Sequence, residues 1–300
     1  MSNKIFSPIN GRPVIFGEVL FDAFPDGREV LGGAPFNVAR HLQGFGCNPL
    51  FISRIGEDER GQKVRNAMQE WAMTLSGLQT DSRYPTGVVR IAMEGTSHSF
   101  DILPEQAYDY IDAAQIDHLL HNNEPALLYF GSLINRASVS RETLKSLRQL
   151  SIPQFVDINL RAPWWSHAGV TSLLHGVTWV KLNDEELHAL GYSGDIITAA
   201  QKMREQYDLS LLVVTCGEDG AFFVTENSVE HGAPVRVKQL VDTVGAGDAF
   251  SSVTILGLLR GWNPGKTLQH ALGFAAHLCE VRGAVLPDQS FYQQCLAEWE

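Results

Sequence analysis

The chain is poor in the features that would mark an exported, membrane-bound or nucleic-acid-binding protein. Its 300 residues include only four cysteines, Cys47, Cys216, Cys279 and Cys295, with no C-x-x-C pair and no metal-ligand spacing. A chain of this length builds a core without disulfide or metal staples, so these are expected to be buried, reduced thiols. Positive charge is in deficit: 23 Lys and Arg against 34 Asp and Glu give a formal net charge of -11, which excludes a general attraction to nucleic acid or to an anionic membrane surface. No apolar run is long enough to span a bilayer. The opening MSNKIFSPINGRPVIFGEVLFD lacks a sustained apolar region followed by a small-residue cleavage site, so a cytoplasmic setting is expected. There is no repeat, low-complexity tract or charge block, and the 27 glycines and 13 prolines are spread along the chain. One continuous globular domain over 1–300 is therefore expected.

What is present is a rhythm. Short β-branched or aromatic runs (Pro13 to Val19, Leu127 to Phe130, Gln154 to Ile158, Trp179 to Leu182, Leu211 to Thr215) alternate with longer amphipathic stretches. That pattern predicts βαβ units and a mostly parallel sheet with helices on both faces. In such sheets, polar residues just after each strand gather at the carboxyl edge, where ligands bind. Thr86 to Leu103 breaks the rhythm, alternating with period two around Glu94-Gly95, and predicts an antiparallel hairpin. The hairpin, with Arg90, His98 and Phe100, is either an edge excursion or a lid over the strand ends.

The strongest chemical signal is DTVGAGDAF, Asp242 to Phe250, leading into a helical run. Gly245, Ala246 and Gly247 at a loop-to-helix junction leave backbone N–H groups bare for an anion. Asp248 then has two readings, a helix cap or a general base beside an anion hole. The segment is not a P-loop, because no G-K-[ST] follows, nor a dinucleotide fingerprint, because its sixth position is Phe250. No G-x-S-x-G elbow or H-E-x-x-H helix occurs.

A second constellation lies near the start: GEVLFD, Gly17 to Asp22, then GGAPFNVARHLQGFG, Gly32 to Gly46. Pro35 opens a helix, Val38, Leu42 and Phe45 give it an apolar face, and Gly44 and Gly46 close it. Asn37 falls in its first turn beside Gly32-Gly33. Further candidates follow strands: Asn159 and Arg161, then Lys181, Asn183 and Glu186, then Thr215 and Gly217. Asn183 and Glu186 also read as a helix capping box.

Taken in order with IGED and Gly61 (Ile55 to Gly61), DINLRAPWW from Asp157, VTCGEDGA from Val214 and DTVGAGDAF, these segments resemble the pfkB-type, ribokinase-like carbohydrate kinases over essentially the whole chain, and the fructokinase branch most of all. The resemblance implies an α/β fold, a ribokinase-like three-layer α/β/α domain with a mostly parallel sheet and a small β lid formed in part by about 86–103. It implies phosphorylation of a sugar hydroxyl by ATP, with fructose as the expected acceptor. The alternatives are the same chemistry on ribose, a ketodeoxy sugar acid or a nucleoside, or a sugar sensor that does not turn over.

Residue by residue, the resemblance makes Asp248 the catalytic base and the Gly245, Ala246 and Gly247 amides the anion hole. It makes Asp22, Gly33, Asn37 and Arg161 sugar contacts, and places Lys181, Asn183, Glu186, Thr215 and Gly217 on the nucleotide and Mg²⁺ side. Asp242, with carbonyls around Val281 to Gly283, matches a monovalent-cation (K⁺) site. The lid matches a dimer contact, and the partners implied are a sugar and a nucleotide, with no nucleic acid and no membrane. The chain departs from the pattern at Val244, usually threonine, and in the Gly273 to Ala284 segment, where the family's adenine-side asparagine is not evident. Phosphoryl transfer needs mainly alignment and stabilisation of negative charge, which amides, a metal ion and an arginine supply without a net-basic surface.

Overall fold

The apolar runs assemble into a nine-stranded sheet in the order β13-β12-β11-β10-β9-β8-β1-β4-β5. Its strands are β1 (Arg12–Phe16), β4 (Leu50–Gly56), β5 (Leu78–Asp81), β8 (Pro125–Gly131), β9 (Gln154–Asp157), β10 (Trp179–Asn183), β11 (Leu211–Thr215), β12 (Ala221–Val224) and β13 (Val229–Gly232). A second sheet has the order β3-β2-β6-β7, from β2 (Leu20–Ala23), β3 (Glu29–Gly32), β6 (Gly87–Glu94) and β7 (Ser97–Ile102). The computed structural model describes residues 7–94, 97–121 and 123–300. The Glu94-Gly95 turn expected for the hairpin falls partly outside them.

The large sheet is parallel from β5 through to β11; β12 alone runs the other way, paired antiparallel with β11 and with the edge strand β13. Alternate residues of each central strand enter opposite cores. Ile15, Leu127, Tyr129 and Val213 pack on one face, and Val14, Phe16, Leu128, Phe130 and Val214 on the other. Burial of both faces is why these strands read as unbroken apolar runs. Helices Ala34–Gly44, Ala246–Arg260, Pro264–Leu278 and Gln289–Trp299 cover the first face. Ser138–Leu147, His167–Leu174 and Ile196–Gln206 cover the second.

Three expectations are corrected. The run Pro13 to Val19 is not one strand, because β1 ends at Phe16 and the chain turns at Gly17 (φ +156) and Glu18 into the second sheet. The strands β2, β3, β4, β5, β12 and β13 were not foreseen. Of the four free cysteines, Cys295 alone is buried, the other three being partly exposed.

The hairpin β6-β7 does not hang at an edge of the large sheet. It joins β2, parallel to β6, in the separate lid sheet. Asp58 anchors the chain where it enters the lid, accepting hydrogen bonds from the Thr86 amide (2.8 Å) and hydroxyl (2.7 Å). Where the chain leaves, Trp164 Nε1 donates to the Ile102 carbonyl (2.9 Å) and Arg136 to the Leu103 carbonyl (2.8 Å). The IGED segment is thus part of the lid's root.

Candidate active site

The turn before helix Ala246–Arg260 shows why glycine is needed at its head. Gly245 sits at φ +82, and a Cβ there would lie 2.5 Å from the Ala284 Cα. Ala246 gives its N–H to the Thr243 carbonyl (3.2 Å), whereas the Gly245, Gly247 and Asp248 amides have no protein acceptor among the described residues. The free donors are therefore those three, and the expected contribution of the Ala246 amide is corrected. Unpaired amides at a helix start, reinforced by the helix dipole, form an anion site.

Asp248 does not cap this helix; Gly245 holds the cap position, and Asp248 follows in the first turn. Its Oδ2 accepts a hydrogen bond from Asn37 Nδ2 at 2.8 Å. Enclosure by protein pushes its carboxyl up to about 7; the Asn37 bond opposes that, the Asp157 charge adds to it, and Lys181 and Arg161 oppose it. A carboxyl poised near neutrality is suited to general base work.

Under the turn lies a buried polar cluster of which the sequence indicated only Lys181 and the D-x-N-x-R segment. Asp157, at the end of β9, accepts from Lys181 Nζ (2.8 Å), Tyr129 Oη (3.1 Å) and Ser251 Oγ (2.5 Å). Asp157 and Lys181 face each other because β9 and β10 pair in that register. Burial works against the ammonium, but Asp157 first, then Glu186 and Asp248, hold the Lys181 pKa above its usual value. A Gly247 Cβ would stand 3.3 Å from Lys181 Nζ, so this fixed cation lies directly behind the anion turn.

The constellation near the start of the chain converges on the same place. Gly33 (φ +106) is the N-cap of helix Ala34–Gly44, where a Cβ would meet the Glu18 carbonyl at 2.8 Å. Asn37, in the first turn, reaches Asp248, and its Oδ1 is buried without a partner. Asp22 projects from lid strand β2, with its carboxyl raised to about 6 by burial and eased down by Arg161. Arg161 is exposed, and its charge also acts on Asp248 and Glu18.

Glu18 was missed as a site residue, although it stands in the GEVLFD segment. It is buried, its Oε2 has no partner, and burial first, with the Asp248 charge, lifts its carboxyl to about 7. A glutamate between two strands has no pattern signal of its own. Arg136, paired with Asp109 in a buried bidentate contact (2.7 Å to each oxygen), was missed for the same reason.

The remaining candidates line the carboxyl edge. Asn183 Oδ1 accepts from the Glu186 amide (2.7 Å) and Glu186 Oε2 from the Asn183 amide (2.9 Å), the expected capping box. Glu186 Oε1 also accepts from the Leu160 amide (2.9 Å), and burial raises its pKa. Thr215 ends β11, and Gly217 (φ +53) opens the turn after it. Asp242 accepts from the Val244 amide (3.0 Å) and the Gly283 amide (3.2 Å), clasping the late loop to the anion turn. Among the described residues no cluster of His, Cys, Asp and Glu forms a protein-only metal cage, and no helix is long and apolar enough to cross a membrane.

Comparison with known proteins finds relatives over nearly the whole chain. The chain is 26% identical over 307 residues to a fructokinase of Klebsiella pneumoniae, covering 96% of this chain and 92% of the relative. The crystal structure of a Vibrio cholerae O395 fructokinase in fructose-, ADP- and calcium-bound form superposes with a TM-score of 0.79 at 25% identity, covering 95% of this chain and 99% of that one. An uncharacterized sugar kinase of Pyrococcus horikoshii in complex with ATP gives a TM-score of 0.78 at 26% identity, covering 90% and 93%. The family model for pfkB family carbohydrate kinase matches residues 16–290. The chain belongs to the pfkB family of carbohydrate kinases, with the ribokinase-like α/β fold and its small lid sheet.

Proposed function

We propose that this carbohydrate kinase transfers the γ-phosphoryl group of ATP to a hydroxyl of fructose, with Asp248 as general base. The observation that carries the reading is the carboxyl of Asp248, held by Asn37 and raised to about 7, beside three unpaired amides at a helix start. The balance is simple: the sugar oxygen forms the new bond to phosphorus, the bond to ADP breaks, and the hydroxyl proton passes to Asp248. The Gly245, Gly247 and Asp248 amides receive the charge on the transferred group, with Lys181 as a fixed cation behind them.

Asp22, Asn37 and Arg161 present acceptor, mixed and donor groups to a polyhydroxylated ring beside Gly33. The lid, rooted at Asp58, Arg136 and Trp164, excludes water from the transfer. A planar base would instead call for an apolar slot at this position.

Thr215 and Gly217 stand where a nucleotide would lie along the strand ends. Mg²⁺ fits the residues present: Glu186 is one partly buried carboxylate rather than a cage, and Mg²⁺ is usually bound by one or two carboxylates plus substrate phosphates. When bound it neutralises phosphate charge. Asp242 and the late loop it clasps would serve a K⁺ site that stiffens the anion turn.

Two cores on the faces of one sheet support a single kinase domain over 1–300. Phe100, 53% exposed on β7, supports a homodimer through the lid. Four free cysteines suit a reducing, cytoplasmic setting. The test is ADP formation in a panel of fructose, ribose, glucose, a ketodeoxy sugar acid and adenosine. Fructose should give the highest kcat/KM; a clear lead for adenosine or ribose would overturn the sugar, and no sugar-dependent ADP at all would overturn the activity.

A further inference from the structure

Helix Ala34–Gly44 carries a second polar residue one turn beyond Asn37, on the same face. His41 is completely buried, packed edge-on against Phe274 at 5.3 Å. Its Nε2 lies 3.0 Å from the Ala284 carbonyl and its Nδ1 2.9 Å from Tyr292 Oη. A carbonyl only accepts, so Nε2 carries the proton and Nδ1 accepts from the tyrosine hydroxyl. Burial depresses the ring's pKa to about 3, so it stays neutral and this tautomer persists at every working pH.

The carbonyl that His41 holds is part of the wall behind the anion turn. Ala284 stands so close to Gly245 that a Cβ on Gly245 would lie 2.5 to 2.7 Å from Ala284 atoms. On the other side of the same loop, the Gly283 amide is tied to Asp242. Asn37 meanwhile holds the carboxylate that follows the turn. One rigid helix thus touches the base with one residue and the backing of the amides with another.

We propose that His41 is a positioning residue for phosphoryl transfer, fixing Ala284 through its Nε2–H and so the place of the Gly245, Gly247 and Asp248 amides. The inference rests on the reading of those amides as the phosphoryl site. An ordinary buried histidine would contribute stability alone. A positioning role adds a cost in kcat, because misplacing aligned groups by a fraction of an ångström slows the chemical step.

Three variants separate the two. His41→Leu removes the donor, His41→Gln replaces it with an amide N–H, and Tyr292→Phe removes the tyrosine hydroxyl while sparing the bond to Ala284. Each is assayed for kcat, sugar and ATP KM, melting temperature and backbone hydrogen exchange over 243–248 and 281–285 in the ligand-free protein. We expect His41→Leu to lose about tenfold in kcat, with sugar KM within about twofold, and to exchange faster in both segments. His41→Gln should recover most of both losses, and Tyr292→Phe should lower the melting temperature while leaving kcat near wild type. Unchanged kcat in folded His41→Leu, or equal kcat losses in all three variants, would overturn the proposal. Should His41→Leu not fold, His41→Gln against the shorter His41→Asn makes the same comparison. If the wild type turns over no sugar, the functional reading fails; the exchange comparison still decides the clamp, unchanged exchange in His41→Leu overturning it.

Discussion

Asn37 and Asp248 are 211 residues apart in sequence, yet the Asn37 amide nitrogen lies 2.8 Å from Oδ2 of Asp248. The contact joins the first turns of two helices that pack on the same face of the sheet. It orients the carboxylate while leaving its other oxygen available to a hydroxyl proton.

Replacing that oxygen gives the most direct test. Asp248→Asn should fold and bind sugar and ATP but lose turnover by about 10²–10⁴-fold, the usual range for a positioned base, with the low end favoured by a loose transition state. Because the carboxyl is raised to about 7, kcat/KM of the wild type should fall about tenfold per pH unit below that value. Initial rates from pH 5 to 9 check both; near wild-type turnover in the variant would leave Asp248 a purely structural role.

The same burial makes a prediction about stability. Glu18 and Asp248 are raised to about 7 and Asp22 to about 6, from ordinary values of 4.5, 3.8 and 3.8. Between the ordinary and raised values the folded chain binds more protons than the unfolded chain, so this contribution is full below about pH 4 and is lost as pH rises through 6 to 7. The ligand-free protein should therefore melt at a lower temperature at pH 8 than at pH 5.5, and Glu18→Gln should flatten the difference. Melting curves in which wild type and Glu18→Gln respond identically would contradict it.

The two glycines of the turn should fail differently. Gly245→Ala puts a side chain at φ +82 against Ala284 backbone, costing at least about 1–2 kcal/mol from the left-handed conformation alone. Gly247→Ala meets only the Lys181 Nζ, at 3.3 Å, which Asp157 holds in place, so it should cost less stability than Gly245→Ala and lose kcat by shifting that cation. Denaturant titration alongside kinetics measures both.

Asp22→Ala should raise the sugar KM far more than the ATP KM, because Asp22 lies on the lid strand β2 and the nucleotide candidates lie beyond β10 and β11. Sites that pair hydroxyls reject analogues that leave their polar groups unsatisfied. An equal rise in both constants would point to general lid damage instead.

For the cation, rates in K⁺ should exceed those in Na⁺ at fixed ionic strength, and Asp242→Asn should reduce the difference. Identical rates in the two salts would remove the site from the mechanism.

What the sequence alone determined is local or repetitive. The βαβ rhythm, the glycines before Asp248, the Asn183 capping box and the hairpin all rest on periodicity or on residues close in the chain, where backbone sterics act directly. Even the correct strands were legible because burial on both faces demands continuous apolar runs. The tertiary structure decided the rest. The ladder register set Lys181 against Asp157, and helix packing set Asn37 against Asp248 and His41 against Ala284. The path between β1 and β2 closed Glu18 into a pocket where its Oε2 has no partner, and the Thr243 carbonyl took the Ala246 amide from the anion turn. None of these pairs is near in sequence except the last, and there the turn's closure made the choice. Charge and hydrogen bonding act through distance, and only folding sets the distances.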